Sequence, residues 1–440
     1  MEQGVLFMYS IRYAREGDVP EILKIFKHYN MHHIPSPEMP ELNVKFLYVA
    51  EMEGNIVGAA GFKILTPEIG KTTLLAVSPA FNNQGIGLAL QAKRLQAMIA
   101  LGCEKVITNA DRPKTIQWYK KHFGYQEVGA EKKIHSFGDP RVDYWTTLEA
   151  NLTESDLQPY LPKYQVPPLI INAALTGAVH SRKDNQYLPV TPQEIANDAV
   201  KAAAHGASVV HLHARDHEEK PTTDPSIYKE IILRIREKNP DLIICTSTSG
   251  RGVKHVESRA AVLFLQGESK PDMASLTLGS MNFPREASIN SPDTIGYLAG
   301  IMRERNIKPE AEVFDLGMFD YARYLIRKEI LDLPLYSNTV LGSLGTLAAR
   351  EKNLELLRRA LPPDTVWSVT GIGRYQRKMI EWAVKNGAHV RVGLEDNLYM
   401  DEQKKTLASN LDLIRMVREI AEKHGRAAAS PGEARKIIGL

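Results

Sequence analysis

At 440 residues the chain is too long for one ordinary domain, and its 43% hydrophobic and 24% charged content is that of a globular protein with a sizeable core. Lys plus Arg number 55 against 52 for Asp plus Glu, and the net +3 carries no basic block, which argues against nucleic acid as a partner. The opening MEQGVLFMYSIRYAR lacks the pattern of a secretory leader, and no uncharged apolar run approaches the ~20 residues that span a bilayer. With only Cys103 and Cys245, far apart in sequence, a cytoplasmic protein with no disulfide framework and no membrane partner is expected.

Residues 9–150 read as a mixed α/β domain. After the strand TTLLAVS comes PAFNNQGIGLALQAKRLQAMIALG, a glycine loop that opens a long helix. Amides exposed at a helix start suit a pyrophosphate. A dinucleotide fingerprint competes, but Leu90 stands where the third glycine of G-x-G-x-x-G belongs. A plain strand–turn–helix is the bland alternative. Tyr119 in WYKKHFGYQEVG lies in an apolar helix, where packing and chemistry are both open readings. Glu51 and Glu53 are carboxylates suited to a base acting through water, though nothing singles them out.

Polar residues and four prolines in NLTESDLQPYLPKYQVPP then mark a linker over 151–166. From 167 to 440 short apolar runs alternate with amphipathic segments. The runs are LIINAALT, SVVHLHAR, LIICTSTS, MASLTLGS, EAEVFDLG, LYSNTVLG, VWSVTGIG and AHVRVGLED. Between them lie helices such as TPQEIANDAVKAAAHG, with a Thr-Pro start and a glycine stop. Eight β-then-α units match a (β/α)₈ TIM barrel, with an open doubly wound sheet as the alternative.

Active sites of such barrels gather at the C-terminal ends of the strands, and the polar residues gather there too. His211 and His213 stand two apart on a strand and project to one face. Glu395, from the last strand, is the best third ligand, because a closed barrel brings that strand near the second. Two imidazoles and a carboxylate with one open position form a common zinc pattern. The alternative is a pair of histidines satisfied by backbone carbonyls. His180, His217, His255 and His389 also lie near strand ends and are not ranked. Asp396 would point away from Glu395 on a regular strand, whereas a twist at the strand end would turn it inward as a general base. Arg391 could orient it or bind an acidic group, and a structural Arg–Asp pair is the alternative. Ser247, Thr248, Ser275 and Thr277 offer hydroxyl donors. Gly371-Ile372-Gly373 is either a phosphate loop or a tight turn.

In the order INAALTGAVHSRKDNQYLPVTPQEIA, VVHLHARD, TSTSG, MASLTLGSMNF, EVFDLGMFD, VTGIGR and VRVGLEDN, residues 167–440 resemble the β-keto acid cleavage enzymes. The resemblance implies a zinc-dependent barrel that converts a β-keto acid and acetyl-CoA into acetoacetate and a shortened acyl-CoA. It makes His211, His213 and Glu395 the metal ligands, Asp396 with Arg391 the base, and Glu312 a further catalytic acid. Ser247, Gly250, Ser275 and Thr277 match positions that hold the keto acid. Val179 departs from the amine-facing glutamate of the aminohexanoate-cleaving members. A homo-oligomer is also implied.

IRYAREGDVPEIL, YVAEMEGNIVGAAGF, the glycine loop and WYKKHFGYQEVG together resemble the GNAT acetyltransferases. That resemblance implies acetyl-CoA held by Gln84, Gly85, Ile86 and Gly87, with Asn82 replacing the usual Gln or Arg. Main chain near Val77 would line the acetyl group, Tyr119 would be the general acid, and an amine would be the acetyl acceptor. The expectation is a bifunctional enzyme. Its rivals are a metal-dependent aldolase or Claisen-type synthase barrel, and a GNAT domain that only senses acetyl-CoA.

Overall fold

The computed structural model describes residues 9–31, 36, 38–39, 42–162, 166–253, 255–284 and 286–440. The chain splits into two compact units, Met1–Tyr164 and Gln165–Leu440.

In the first unit β1 (Ser10–Tyr13), β2 (Leu47–Met52), β3 (Asn55–Ile64), β4 (Ile69–Val77), β5 (Lys105–Ala110), β6 (Gln126–Lys132) and β7 (Tyr144–Asn151) form one sheet in the order β1-β2-β3-β4-β5-β7-β6. β4 and β5 pair in parallel only from Ile69–Lys105 to Lys71–Ile107. Beyond that point they run on without pairing each other, so the sheet forks towards their C-terminal ends. The helices α1 (Val19–Lys27), α2 (Ile86–Ala100) and α3 (Pro113–Phe123) complete the unit. Arg94 of α2 is fully buried, and the domain satisfies it with neutral acceptors. Its guanidinium donates to the carbonyls of Gly61 (2.8 Å), Thr73 (3.1 Å) and Leu74 (3.2 Å), to Gln91 Oε1, and to the Tyr119 hydroxyl at 3.2 Å.

The stretch expected to be a linker is partly folded. A short helix, α4 (Glu154–Leu157), and a 3₁₀ turn (Gln158–Tyr160) follow β7. Leu157 is buried, and the Tyr160 ring lies 5.2 Å from that of Phe123. Two apolar side chains in a polar run are enough to seat it on the unit. Residues 163–165 of the expected linker lie outside the described residues.

The second unit is a closed parallel barrel, so the open-sheet alternative falls. Its strands are β8 (Ile171–Ala174), β9 (Val209–Leu212), β10 (Ile243–Thr246), β11 (Met273–Thr277), β12 (Lys308–Val313), β13 (Leu335–Leu341), β14 (Thr365–Gly371) and β15 (His389–Val392). They neighbour one another in chain order, and β15 closes on β8 with Arg391 opposite Asn172. Helix α5 (Pro192–Ala204) shows how the connecting helices start, with Thr191 and Glu194 forming a reciprocal capping box and Pro192 at the first position. The N-terminal end of the barrel is sealed by an apolar layer. Ile170, Ile243 and Met273 pack there with Ala434 and Ile438 of the last helix, Pro431–Ile438. Above that floor the lumen turns polar, which aliphatic barrel packing alone does not require.

Candidate metal centre and active site

Asp396 comes round to the same side as Glu395 because β15 does not stay regular. After Val392, Gly393 adopts φ +154° so close to β8 that a Cβ there would lie 2.0 Å from the Ala174 carbonyl oxygen. The chain then turns, with the Asp396 and Asn397 N–H groups both donating to the Gly393 carbonyl at 3.1 Å. The two consecutive carboxylates therefore meet one guanidinium. Arg391, 3% exposed, donates from Nε to Asp396 Oδ2 at 3.0 Å and from Nη2 to Asp396 Oδ1 at 3.2 Å and Glu395 Oε1 at 2.6 Å. Its Nη1 lies 3.3 Å from Glu312 Oε1, and Thr277 Oγ1 donates to Glu312 Oε2 at 2.7 Å. Burial opposes the arginine's charge, but the four surrounding carboxylates hold its pKa well above the ordinary range. Asp396 goes the other way. Burial and the charge of Glu395 push it up to about 6 against the pull of Arg391. A carboxylate so placed can take and return a proton near neutrality.

His211, His213 and Glu395 offer ligand atoms that all lie within 4.8 Å of one another. His213 Nε2 is 3.3 Å from Glu395 Oε1, and His211 Nε2 is 4.0 Å from Glu395 Oε2. That second oxygen is buried and has no hydrogen-bond partner among the described residues. Leaving a buried carboxylate oxygen unsatisfied is costly, and a cation between it and the two imidazoles removes the penalty. The donor set thus fits a divalent metal of the zinc type.

Beneath this trio lies a residue that the strand-end pattern did not single out. Glu310 is fully buried in the lumen and accepts from His211 Nδ1 at 2.7 Å, from Asn172 Nδ2 at 2.8 Å and from the Cys245 thiol at 3.2 Å. With Nδ1–H engaged, His211 presents the lone pair of Nε2 to the mouth, the arrangement that second-layer carboxylates impose on metal-bound histidines. Burial disfavours the charge on Glu310, yet His211 and Arg391 outweigh it and hold its pKa below the usual range. Burial and Arg391 press His211 down, whereas Glu395 and Glu310 prevail and raise it. The signal was present in PEAEV, where Glu310 and Glu312 stand two apart on one strand and share a face. Gly177 carries a role that its sequence context did not reveal. At φ +65° it lies against Glu395, where an added Cβ would be 2.6 Å from Cγ.

The hydroxyls and loops mostly position the mouth. Ser275 Oγ accepts the Thr248 N–H at 3.0 Å, and Thr248 Oγ1 donates to the Ser275 carbonyl at 2.5 Å. Ser247 Oγ accepts the Ser249 N–H at 3.2 Å. Gly250 leaves no room for a side chain, since a Cβ would lie 2.7 Å from Nη1 of the buried Arg259. The phosphate-loop alternative at 371–373 is overturned. The Ile372 N–H donates to Leu341 O at 2.9 Å and the Gly373 N–H to Asp396 O at 2.8 Å, so the turn buttresses the Asp396 backbone. His389 lies at the floor with its Nδ1 accepting the Ile170 N–H at 3.0 Å. Burial and Arg426 push it down to about 3, so it is a neutral structural residue. His180, His217 and His255 stand outside the ligand groupings found among the described residues.

In the first unit Gly85 caps α2 at φ +80°, a conformation suited to glycine. The first backbone bond of the helix runs from Ala89 N–H to Gly85 O, which leaves the amides of Ile86 and Gly87 at its open end. The Ile86 side chain is itself core, and Gly87 faces Val77 Cγ2 across 3.7 Å of clearance for a Cβ. Next to this loop the Tyr29 hydroxyl donates to Val77 O at 2.6 Å and meets Asn82 Oδ1 at 3.4 Å. Gln84 lies in the turn just before Gly85. Tyr119 is only 4% exposed and accepts from Arg94, so packing accounts for much of its placement. Glu51 is taken by Arg12 Nε at 2.6 Å, and Glu53 sits in the β2–β3 turn at φ +51°. Neither is set out as a base.

The parallel barrel carries two histidines and a carboxylate at its rim, beside a second carboxylate raised towards neutrality, a set of groups whose chemistry suits proton abstraction next to a polarised carbonyl. Residues 168–440 match the beta-keto acid cleavage enzyme family, and the chain belongs to it. Residues 19–125 match the acetyltransferase (GNAT) family. The chain is 40% identical over 275 residues to a 3-keto-5-aminohexanoate cleavage enzyme of Fusobacterium nucleatum, covering 62% of this chain and 98% of that one. It is 38% identical over 278 residues to a 3-oxoadipate:acetyl-CoA acetyltransferase of Cupriavidus necator, covering 62% and 95%. Among solved structures, apo ObcA shares the barrel fold with a TM-score of 0.52 at 22% identity, over 58% of this chain and 66% of that one. The chain is therefore an acyltransferase-family enzyme with a GNAT domain ahead of its barrel. Among the described residues no helix is long and apolar enough to cross a membrane.

Proposed function

We propose that the barrel exchanges acyl groups between a β-keto acid and acetyl-CoA, and that it does so with a bound zinc ion. The observation that carries this reading is the unpartnered, buried Oε2 of Glu395 facing His211, directly beside the raised carboxyl of Asp396. His211, His213 and Glu395 would hold the metal, whose contribution when bound is Lewis-acid polarisation of the keto oxygen. Asp396, held by Nε and Nη2 along one edge of the Arg391 guanidinium, removes the proton from the carbon between the two carbonyls. The resulting carbanion attacks the thioester carbon of acetyl-CoA and expels the CoA thiolate. That thiolate adds to the original keto carbon, and the carbon–carbon bond breaks to give acetoacetate and the shortened acyl-CoA. Asp396 returns the proton. Ser247, Gly250, Ser275 and Thr277 line the keto-acid seat, with Glu312 of β12 holding Arg391 in place. We further infer that the first unit transfers acetyl from acetyl-CoA, held at Gln84 to Gly87 and Val77, to an amine. There Tyr119, oriented by Arg94, would protonate the departing thiolate.

Acetyl-CoA labelled with ¹³C in its acetyl group, incubated with a panel of β-keto acids, tests the barrel reading. Label should enter acetoacetate and be absent from the new acyl-CoA. An aldolase or synthase would instead leave acetoacetate unformed and the label in a longer condensed acid.

A further inference from the structure

The arginines around the barrel mouth differ in what they touch. Arg391 meets the three carboxylates of Glu312, Glu395 and Asp396. Arg259 donates to Thr248 O at 2.8 Å, Ile289 O at 3.2 Å and Asn290 Oδ1 at 2.6 Å. Arg215 donates to the carbonyls of Gly177, His180 and Glu219. The guanidinium of Arg251 has no such acceptor among the described residues. It lies 3.7 Å above the centre of the Phe283 ring, half-buried, on the loop that follows β10.

This seat is built rather than incidental. The Arg251 N–H donates to Ser249 Oγ at 3.2 Å, which sets the loop. Phe283 is fixed by its N–H to Glu286 O at 2.9 Å and by an edge-on contact with Phe314 at 5.8 Å. Loops after three successive strands thus hold one cation with its in-plane N–H groups unspent. Burial works against its charge and lowers its pKa, while the carboxylates of Glu395, Glu286 and Glu312 act the other way, which puts it within electrostatic reach of the metal trio. A half-buried cation without a directly paired anion is a poor arrangement for stability and a good one for a ligand.

We propose that Arg251 receives the second carboxylate of a dicarboxylic β-keto acid. This rests on the keto-acid reading of the mouth given above. The reacting end belongs deep in the lumen, by Glu395 and Asp396. Arg251 follows Gly250 outward along the same loop and meets what lies farther along the chain of the substrate. Val179 adds no charge at the rim, and Arg251 repels an ammonium-bearing acid, so the mouth selects by repulsion as well as attraction.

Two probes test this, 3-oxohexanoate and 3-oxohexanedioate, which differ only in carrying a methyl or a carboxylate at C6. Arg251→Gln should lower kcat/KM for the diacid about 10–100-fold more than for the monoacid, the range for a lost charge-assisted pair. Arg251→Lys should recover part of that difference, and Phe283→Leu, which loosens the seat, should fall between. Equal losses for the two acids would assign Arg251 to the carboxylate they share and overturn the proposal. A change confined to the KM for acetyl-CoA would assign it to the CoA phosphates and overturn the proposal equally. Calorimetric binding of both acids to the metal-bound protein without acetyl-CoA separates this from the reaction itself. An Arg251-dependent preference for the diacid without turnover would sink the cleavage reading and leave Arg251 in place. Absence of that preference would overturn the Arg251 proposal whatever the turnover.

Discussion

Each unit of this protein buries an arginine almost completely, and the two are used in opposite ways. Arg94, in the first unit, is surrounded by carbonyls, an amide and a phenol. Arg391, in the barrel, is surrounded by carboxylates. Neutral acceptors around a buried cation make a rigid joint in which no carboxylate competes for the charge. Several carboxylates competing for one cation leave at least one of them poorly neutralised, and here that one is Asp396. The difference separates a structural network from a catalytic one more sharply than burial does, because both arginines are equally out of water.

The largest effect should come from Asp396→Asn, which keeps shape and removes the base. Turnover should fall about 10²–10⁴-fold while metal content measured by atomic emission stays at the wild-type level. Arg94→Met should do the reverse. Stripping the shared donor leaves several buried acceptors unpaired, each worth about 1–3 kcal/mol, so calorimetry should show the first unit destabilised by several kcal/mol, with barrel turnover within about twofold. Glu310→Gln, which disturbs the partner of His211 without touching a ligand atom of the mouth, should weaken metal retention about 10–100-fold in a chelator competition.

His389 supplies a pH signature unrelated to catalysis. Its folded pKa is depressed to about 3 from 6.5, so below 6.5 the unfolded chain binds a proton that the folded one refuses. Its stabilising contribution is full above pH 6.5 and is lost as the pH falls towards 3, at about 1.4 kcal/mol per unit. Barrel melting curves for wild type and His389→Gln should converge as the pH drops through that window. The smallest effect is expected at Tyr119→Phe, an about tenfold loss of acetyl transfer to amine at nearly unchanged melting temperature. Lost stability with intact transfer would return Tyr119 to the structural network of Arg94.

Much of the barrel was legible because alternating strands and capped helices recur at even spacing, and HLHARD and GLEDN carry polar residues where a barrel has no packing use for them. The turn that brings Asp396 beside Glu395 was only half legible, since Gly393 announces a break but not its direction. Glu310 escaped because attention to strand ends passes over polar residues in mid-strand, although its spacing from Glu312 was visible. The bonding of the 371–373 turn to Asp396 O and Leu341 O is a tertiary fact that no local pattern encodes. The same holds for α4, where Leu157 and Tyr160 decide the outcome against a polar, proline-rich background.

The measurement closest to the central claim is acetoacetate formation from acetyl-CoA and the best β-keto acid by protein stripped of metal, reloaded with zinc, and compared with a His211→Ala, His213→Ala double variant. The account predicts negligible turnover when stripped, recovery on reloading with about one zinc per chain, and neither zinc nor turnover in the double variant. Full activity in the stripped protein, or in the double variant, would contradict it.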